Sequence, residues 1–304
     1  MGNKSKCLVT GGCGFIGSNL VKTLIHKGYE VVSIDNLSAT SHEKFHFHDE
    51  CKNYEVDIRD SEAVSKIFSE FKPDYVFHCA AHSRIQPTMK NPSETCEVNV
   101  VGTCNILQAS RENGVKKVVY SGTSSAYGLE NQPPLIEEME RDCLNPYSVS
   151  KTAGEDLCKM YWTLFGLPTT ILRYFNVYGP NEPIKGIYAP VVGLFMRQAK
   201  SGEAMTVVGD GLQSRDYTHV QDVVEANIAA ALSEEEVSYG QIFNVGSGEA
   251  HTVLDVVNMI GGPHVHIDAR PGEARHTLAD NSKLKNILGW QPKGNLRNYI
   301  NSCM

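Results

Sequence analysis

The sequence predicts an α/β protein built on a doubly wound parallel sheet, with a smaller mixed α/β C-terminal lobe. Three observations carry that expectation. Short apolar runs of strand length alternate with amphipathic helical segments through the first 175 residues. A glycine-rich turn, "TGGCGFIG", falls directly between the first strand and the first helix. After Arg173 the rhythm breaks into "FNVYGPNEPIKGIYAP", rich in Gly, Pro and Asn, and shorter elements follow.

Each element has a local reason. Lys6–Thr10 is a short apolar strand. Gly14–Lys27 repeats Ile16, Leu20, Leu24 and Ile25 at helical spacing. Glu30–Ile34 is a second strand closed by Asp35, and Asn53–Val56 a third. Ser61 is placed to cap a helix that carries Val64, Ile67, Phe68 and Phe71 on one face. Asp74–His78 reads as a strand, Pro92–Asn113 as one long helix, and Lys116–Ser121 as the strand before "SGTSSAYG". Pro146–Phe165 is helical and Thr169–Arg173 extended. The later part shows helices near Val191–Lys200 and Val220–Leu232, and strands near Met205–Val208 and Gln241–Val245.

Composition narrows the class. The 304 residues are 41% hydrophobic and 21% charged, enough for a packed core. A net charge of −7 argues against nucleic acid or an anionic membrane as partner. No apolar run approaches a membrane span, and the start "MGNKSKCLVTGG" has no signal-peptide core. "MGNKSK" departs from a myristoylation start, having Lys6 where Ser or Thr is wanted. Nine cysteines without a CxxC pair read as free thiols in a reducing cytoplasm. His42, His46 and His48 in "SHEKFHFHDE" lack the further ligands of a zinc tetrahedron, so a solvated loop and no metal are expected.

Two motifs carry chemistry. In "TGGCGFIG", Gly11, Gly12, Gly14 and Gly17 permit a tight turn and close approach of the backbone to a pyrophosphate. Asp35 follows Gly17 by 18 residues at the end of the next strand. A carboxylate there accepts ribose hydroxyls and repels a 2′-phosphate, which favours NAD over NADP. Asp57 in "VDIRD" either reaches the adenine or merely ends a strand. In "NPYSVSK", Tyr147 and Lys151 stand four apart at a helix start, on one face. An ammonium beside a phenol favours the phenolate and lowers its pKa toward that of a usable base.

The glycine loop, "SGTSSAYG", "YSVSK", "RYFNVYGP", "SRDYTHVQDV" and "FNVGSG" together resemble the extended short-chain dehydrogenase/reductase family, and within it the NAD-dependent nucleotide-sugar epimerases and dehydratases. The resemblance spans nearly the whole chain. It implies a lobed Rossmann fold, tightly held NAD that is recycled, and a UDP-sugar substrate. Residues 1–175, with a returning segment near 215–245, would form the NAD domain. Residues 176–214 and 246–304 would form the sugar-nucleotide lobe. By position, Tyr147 would be the base, Lys151 would hold the ribose and tune Tyr147, and Thr123 would bond the sugar hydroxyl. Gly11, Gly14, Phe15, Ile16, Gly17, Asp35, Asn36, Leu37, Ser38, Asp57, Ile58, Cys79, Ala80, Ala81, Asn99 and Ser121 match cofactor contacts, with Tyr174 and Asn176 beside them. Ser83, Arg84, Ser124, Ser125, Phe175, Asn176, Ala189, Val191, Val207, Arg215, Arg270, Glu273 and Thr277 match substrate contacts. Some relatives carry a Lys near Ser83, and "AAHSRIQP" has none.

The same resemblance separates reactions. Dehydratases of this group place an acid in the stretch occupied here by Thr123, Ser124 and Ser125, because elimination needs a proton donor beside the ring. Hydroxyls suffice for a 4-epimerase: hydride out, rotation of a 4-keto sugar, hydride back. A small Thr277 would admit a C2 N-acetyl group, so UDP-GlcNAc/UDP-GalNAc is expected, with UDP-Glc/UDP-Gal; alternatively Thr277 is only a strand residue. A dehydratase or 4-keto reductase, or a non-catalytic NAD sensor, are the competing readings. The segments 92–113 and 146–165 resemble helices that pair across a homodimer.

Overall fold

The computed structural model describes residues 4–39, 44–184, 189–269 and 274–304. The N-terminal part runs β1 (Lys6–Thr10), α1 (Phe15–His26), β2 (Glu30–Asp35), β3 (Lys52–Glu55), α2 (Ser61–Phe71), β4 (Tyr75–His78), α3 (Ile85–Lys90), α4 (Pro92–Cys96), a π-helical turn (Glu97–Val101), α5 (Gly102–Glu112), β5 (Lys117–Thr123), α6 (Pro146–Phe165) and β6 (Thr169–Tyr174). The later part runs β7 (Val177–Tyr178), α7 (Val191–Lys200), β8 (Met205–Val208), β9 (Ser214–Asp216), β10 (Thr218–His219), α8 (Val220–Leu232), β11 (Gln241–Val245), β12 (Ala250–Thr252), α9 (Val253–Ile260), β13 (His264–Ile267), α10 (Ser282–Leu288) and α11 (Leu296–Cys303).

The main sheet has seven strands in the order β11-β6-β5-β4-β1-β2-β3. Every pairing in it is parallel. Apart from the edge strand β3, its strands are largely buried on both faces, which is why they read as apolar runs. One core layer joins α1 and α8 to the sheet through Leu20, Leu24, Val223 and Phe243. The opposite layer uses Ile67, Phe68, Ile106 and Tyr161 from α2, α5 and α6. The strand order reverses at β1, and ligands bind such sheets in the crevice where it does. A separate cluster packs α7, β8, α9 and α11 through Phe195, Val207, Val256 and Ile300. Small two-stranded sheets, β10-β7, β12-β9 and β13-β8, frame it.

Several elements differ from expectation. The cap of α2 is Asp60, whose side chain accepts from Ala63 N, so Ser61 is the first helical residue instead. Both residue types cap well, and the choice between neighbours is made by the chain path. The helix expected over residues 92–113 is interrupted by the π turn. There Asn99 turns inward, its Oδ1 accepting from His82 N at 2.7 Å and its Nδ2 donating to His82 O at 3.0 Å. Apolar periodicity runs unbroken through such a turn and does not reveal it. Among the described residues no helix is long and apolar enough to cross a membrane. All nine cysteines are free thiols. His42 lies outside the described residues, and among those described no three His, Cys, Asp or Glu side chains cluster as metal ligands.

Candidate active site

A cavity of about 540 Å³ opens over the C-terminal ends of the parallel strands, and a second of about 270 Å³ adjoins it. Arg84, Ser124, Ser125, Tyr147, Asn176 and Arg215 line both. The glycine turn floors the larger one. Gly11 sits at φ +67 with its missing Cβ only 2.9 Å from Ala80 N, and a Cβ on Gly17 would lie 2.0 Å from Gly11 O. Side chains at either position would block the turn. Gly14 caps α1 without a side-chain bond, so the first N–H groups of that helix open to the cavity. That cradle fits a pyrophosphate.

Asp35 is already committed to shaping this floor. Its Oδ2 accepts from Cys13 N at 3.0 Å and its Oδ1 from Leu37 N at 2.9 Å. Beneath the floor runs a chain of bonds with a fixed sense. Thr103 donates to Asn99 O, so its oxygen accepts from His78 Nε2–H at 2.9 Å. His78 Nδ1 then accepts from Thr10, which itself accepts from Ala80 N. Burial, aided by the Lys151 ammonium, pushes His78 down to about 3, so it stays neutral.

The catalytic candidates ride on α6. Asn145 caps this helix in a reciprocal box with Ser148, and Pro146 follows. That cap fixes where Tyr147 and Lys151 emerge on one face. Lys151 is 2% exposed, its Nζ 4.2 Å from the centre of the Tyr120 ring, and burial pushes it down to about 8. The Tyr120 hydroxyl donates to Lys151 O at 3.1 Å. Burial pushes the Tyr147 phenol above its ordinary value, and the Thr123 hydroxyl opposes that. The expected lowering of Tyr147 by Lys151 is therefore corrected for the protein alone: desolvation dominates, and the ammonium rests over Tyr120. Behind the helix, Arg173 and Glu155 form a buried bidentate pair at 2.8 Å and 2.8 Å.

Most sequence-predicted contacts reach the larger cavity. Gly11, Gly14, Phe15, Ile16, Gly17, Asp35, Asn36, Ser38, Ile58, Cys79, Ala80, Ala81, Ser121, Tyr147, Lys151, Tyr174 and Asn176 line it, as do Ser83, Arg84, Thr123, Ser124, Ser125, Ala189, Val191 and Arg215. Thr277 borders the smaller one. Arg270 and Glu273 lie outside the described residues.

Five residues stand elsewhere. Asp57 is clamped by Arg59, which holds its carboxyl down at about 2, and it accepts from Asn36 Nδ2 at 2.9 Å. Leu37 turns at φ +54 and serves Asp35 with its backbone. Asn99 spends its amide on His82 and Ser150 behind the wall. Phe175 packs with Tyr127 and Leu135. Val207 faces the core, because strand alternation presents Thr206 and Val208 to the cavity.

Sequence reasoning missed Tyr178, Glu182, Gln213 and Tyr217, which also line the larger cavity. Alternation held a signal for two of them. Once Arg215 is assigned, Gln213 and Tyr217 fall on the same face of that extended segment.

A doubly wound sheet, a glycine cradle at a helix N-terminus and a buried Tyr/Lys pair define a dinucleotide-dependent enzyme. The chain belongs to the NAD dependent epimerase/dehydratase family, whose model matches residues 7–246. It is 36% identical over 299 residues to a UDP-glucose 4-epimerase of Mycolicibacterium smegmatis, covering 95% of this chain and 94% of that one. A solved UDP-glucose 4-epimerase of Thermotoga maritima, with UDP-glucose, superposes with a TM-score of 0.91 at 35% identity, covering 97% and 96% of the two chains. A UDP-N-acetylglucosamine 4-epimerase of Methanobrevibacter ruminantium, in complex with UDP-N-acetylmuramic acid, superposes with 0.89 at 32% identity, covering 99% and 98%. NAD is the cofactor of this enzyme.

Proposed function

We propose that the protein catalyses the 4-epimerisation of a UDP-hexose, accepting UDP-GlcNAc/UDP-GalNAc and also UDP-Glc/UDP-Gal. One observation carries this reading. Among the described residues, the walls shared by both cavities around Tyr147 hold hydroxyls, an amide and arginines, and no carboxylate. Elimination of a sugar hydroxyl calls for an acid beside the ring, whereas oxidation and re-reduction at one carbon do not. The small Thr277 at the border of the second cavity, in reach of Asn176 Nδ2 at 3.4 Å, supports room for an N-acetyl group.

Bound NAD supplies the hydride acceptor and donor and, in its oxidised form, a positive charge that favours a phenolate. Gly11, Gly14 and the first turn of α1 would hold its pyrophosphate, and Asp35 its ribose. Tyr147 takes the proton from the sugar 4-hydroxyl and returns it. Thr123 keeps that phenol within reach of a hydroxyl partner, and Lys151 would hold the cofactor ribose. Arg215 serves the substrate diphosphate. Exposed Val101, Val149 and Leu164 on the π turn and α6 support a homodimer formed on these helices, and the free thiols suit the cytoplasm.

The test is incubation of the purified protein, without added cofactor, with UDP-Glc and UDP-GlcNAc separately. Chromatography should resolve an epimer of unchanged mass from each. A product lighter by water would overturn the reading in favour of a dehydratase.

A further inference from the structure

The smaller cavity is cationic. Arg84 and Arg215 both line it, and among the described residues no aspartate or glutamate does. Arg215 is partly held by the backbone, donating to Ser214 O and Arg275 O at 2.9 and 3.2 Å. Arg84 is different. Among the described residues its guanidinium has no hydrogen-bond or ion-pair partner; the Glu182 carboxyl acts on it only through space. Burial pushes its pKa down from the ordinary value.

Its backbone is also unusual. Arg84 sits at φ +84 and ψ 132, at the N-terminus of α3. A residue with a Cβ pays about 1–3 kcal/mol for such a conformation, and strain of this kind gathers at ligand clamps. The strain delivers a planar, bidentate cation to the wall beside the hydroxyls of Ser124 and Ser125. A neutral hexose offers a half-buried guanidinium no compensating charge. A carboxylate matches both its fork and the neighbouring hydroxyl donors.

We propose that Arg84 reads a carboxylate on the sugar, so that nucleotide-linked hexuronic acids are the preferred substrate class. This rests on the UDP-sugar reading of the site and deepens it. Tolerance of an N-acetyl group at C2 concerns a different carbon and is independent.

The experiment compares UDP-glucuronate with UDP-glucose, by calorimetric affinity in the NAD-loaded protein and by kcat/KM for epimerisation. Wild type should favour the acidic sugar. Arg84→Gly relieves the backbone strain, so it should fold at least as well as wild type. It should weaken UDP-glucuronate by about ten- to a hundredfold, the worth of a charge-assisted bond. UDP-glucose should weaken by a clearly smaller factor than UDP-glucuronate, and Arg84→Lys should fall between. An equal loss for both sugars would assign Arg84 to the shared diphosphate and overturn the proposal, as would a wild type that does not favour the acid. Selective binding of the acid without turnover would sink the epimerase reading while leaving Arg84 in its role.

Discussion

Beside the larger cavity the N-terminal part pairs most of its polar groups within the protein; among the described residues of 178–217, four buried polar atoms stay unpaired. Asp35, Asn36, His78 and Asn99 each have protein partners, and together they set the floor before any ligand arrives. Across from them, Tyr178 OH, Glu182 Oε1, Gln213 Oε1 and Tyr217 OH are buried without a hydrogen-bond partner among the described residues. Each such group costs about 1–3 kcal/mol until something bonds it. The contrast suits a resident cofactor on one wall and an exchanging substrate on the other. A floor that must hold one dinucleotide through many turnovers gains from being rigid. A wall that must take and release a sugar nucleotide gains from bonds made only when the substrate is present.

The sharpest way to break this comparison is at the junction of the two walls. Tyr147→Phe removes the proposed proton carrier and should lower kcat by roughly 10²- to 10⁴-fold. The melting temperature should hold, because the ring remains; full activity would refute the assignment. Next in size is the pair behind the helix. Glu155→Gln leaves Arg173 charged in the core and should cost about 3–5 kcal/mol in urea unfolding. A smaller loss would mean that the floor is less rigid than its bonding implies. Asp35→Asn should weaken NAD by roughly tenfold or more while improving NADP, read by fluorescence titration of the two reduced cofactors. Unchanged discrimination would show that its two backbone bonds leave it nothing for the ribose.

A pH-dependent effect lies on the open wall. Burial pushes Glu182 up to about 8, while Gly193 N, Gly179 N and Arg84 pull the other way. The folded protein thus keeps a proton that the unfolded chain releases from about pH 4.5 upward. Stability from this group is full below about pH 4.5 and is lost as pH rises to about 8. Glu182→Gln should flatten the fall in melting temperature over that interval; parallel curves for the two proteins would contradict it.

The two walls also differ in how far the sequence discloses them. Glycine spacing, a helix start and an acid at a strand end are local, so "TGGCGFIG" and Asp35 announce the floor by themselves. The Tyr147 and Lys151 pair is equally local, four residues on one capped helix. The open wall is assembled from residues far apart in the chain. Tyr178, Gln213 and Tyr217 look ordinary in isolation, and only strand parity from Arg215 points to two of them. Parity also decides Val207, where a shift of one residue exchanges core for cavity. The π turn at Asn99 escapes because an inserted residue does not interrupt an apolar run. Asn99 bonds His82 and Ser150 behind the cavity wall.

The central claim is that one hydride leaves and returns to the same carbon while Tyr147 shuttles one proton. Turnover of a UDP-hexose carrying deuterium at C4, followed by mass spectrometry and NMR of the product, tests it directly. Complete retention of deuterium at the inverted C4, with slowed turnover, is the predicted result. Loss of the label to solvent would mean that C4 is inverted through a carbanion and exchangeable proton, and would contradict the account.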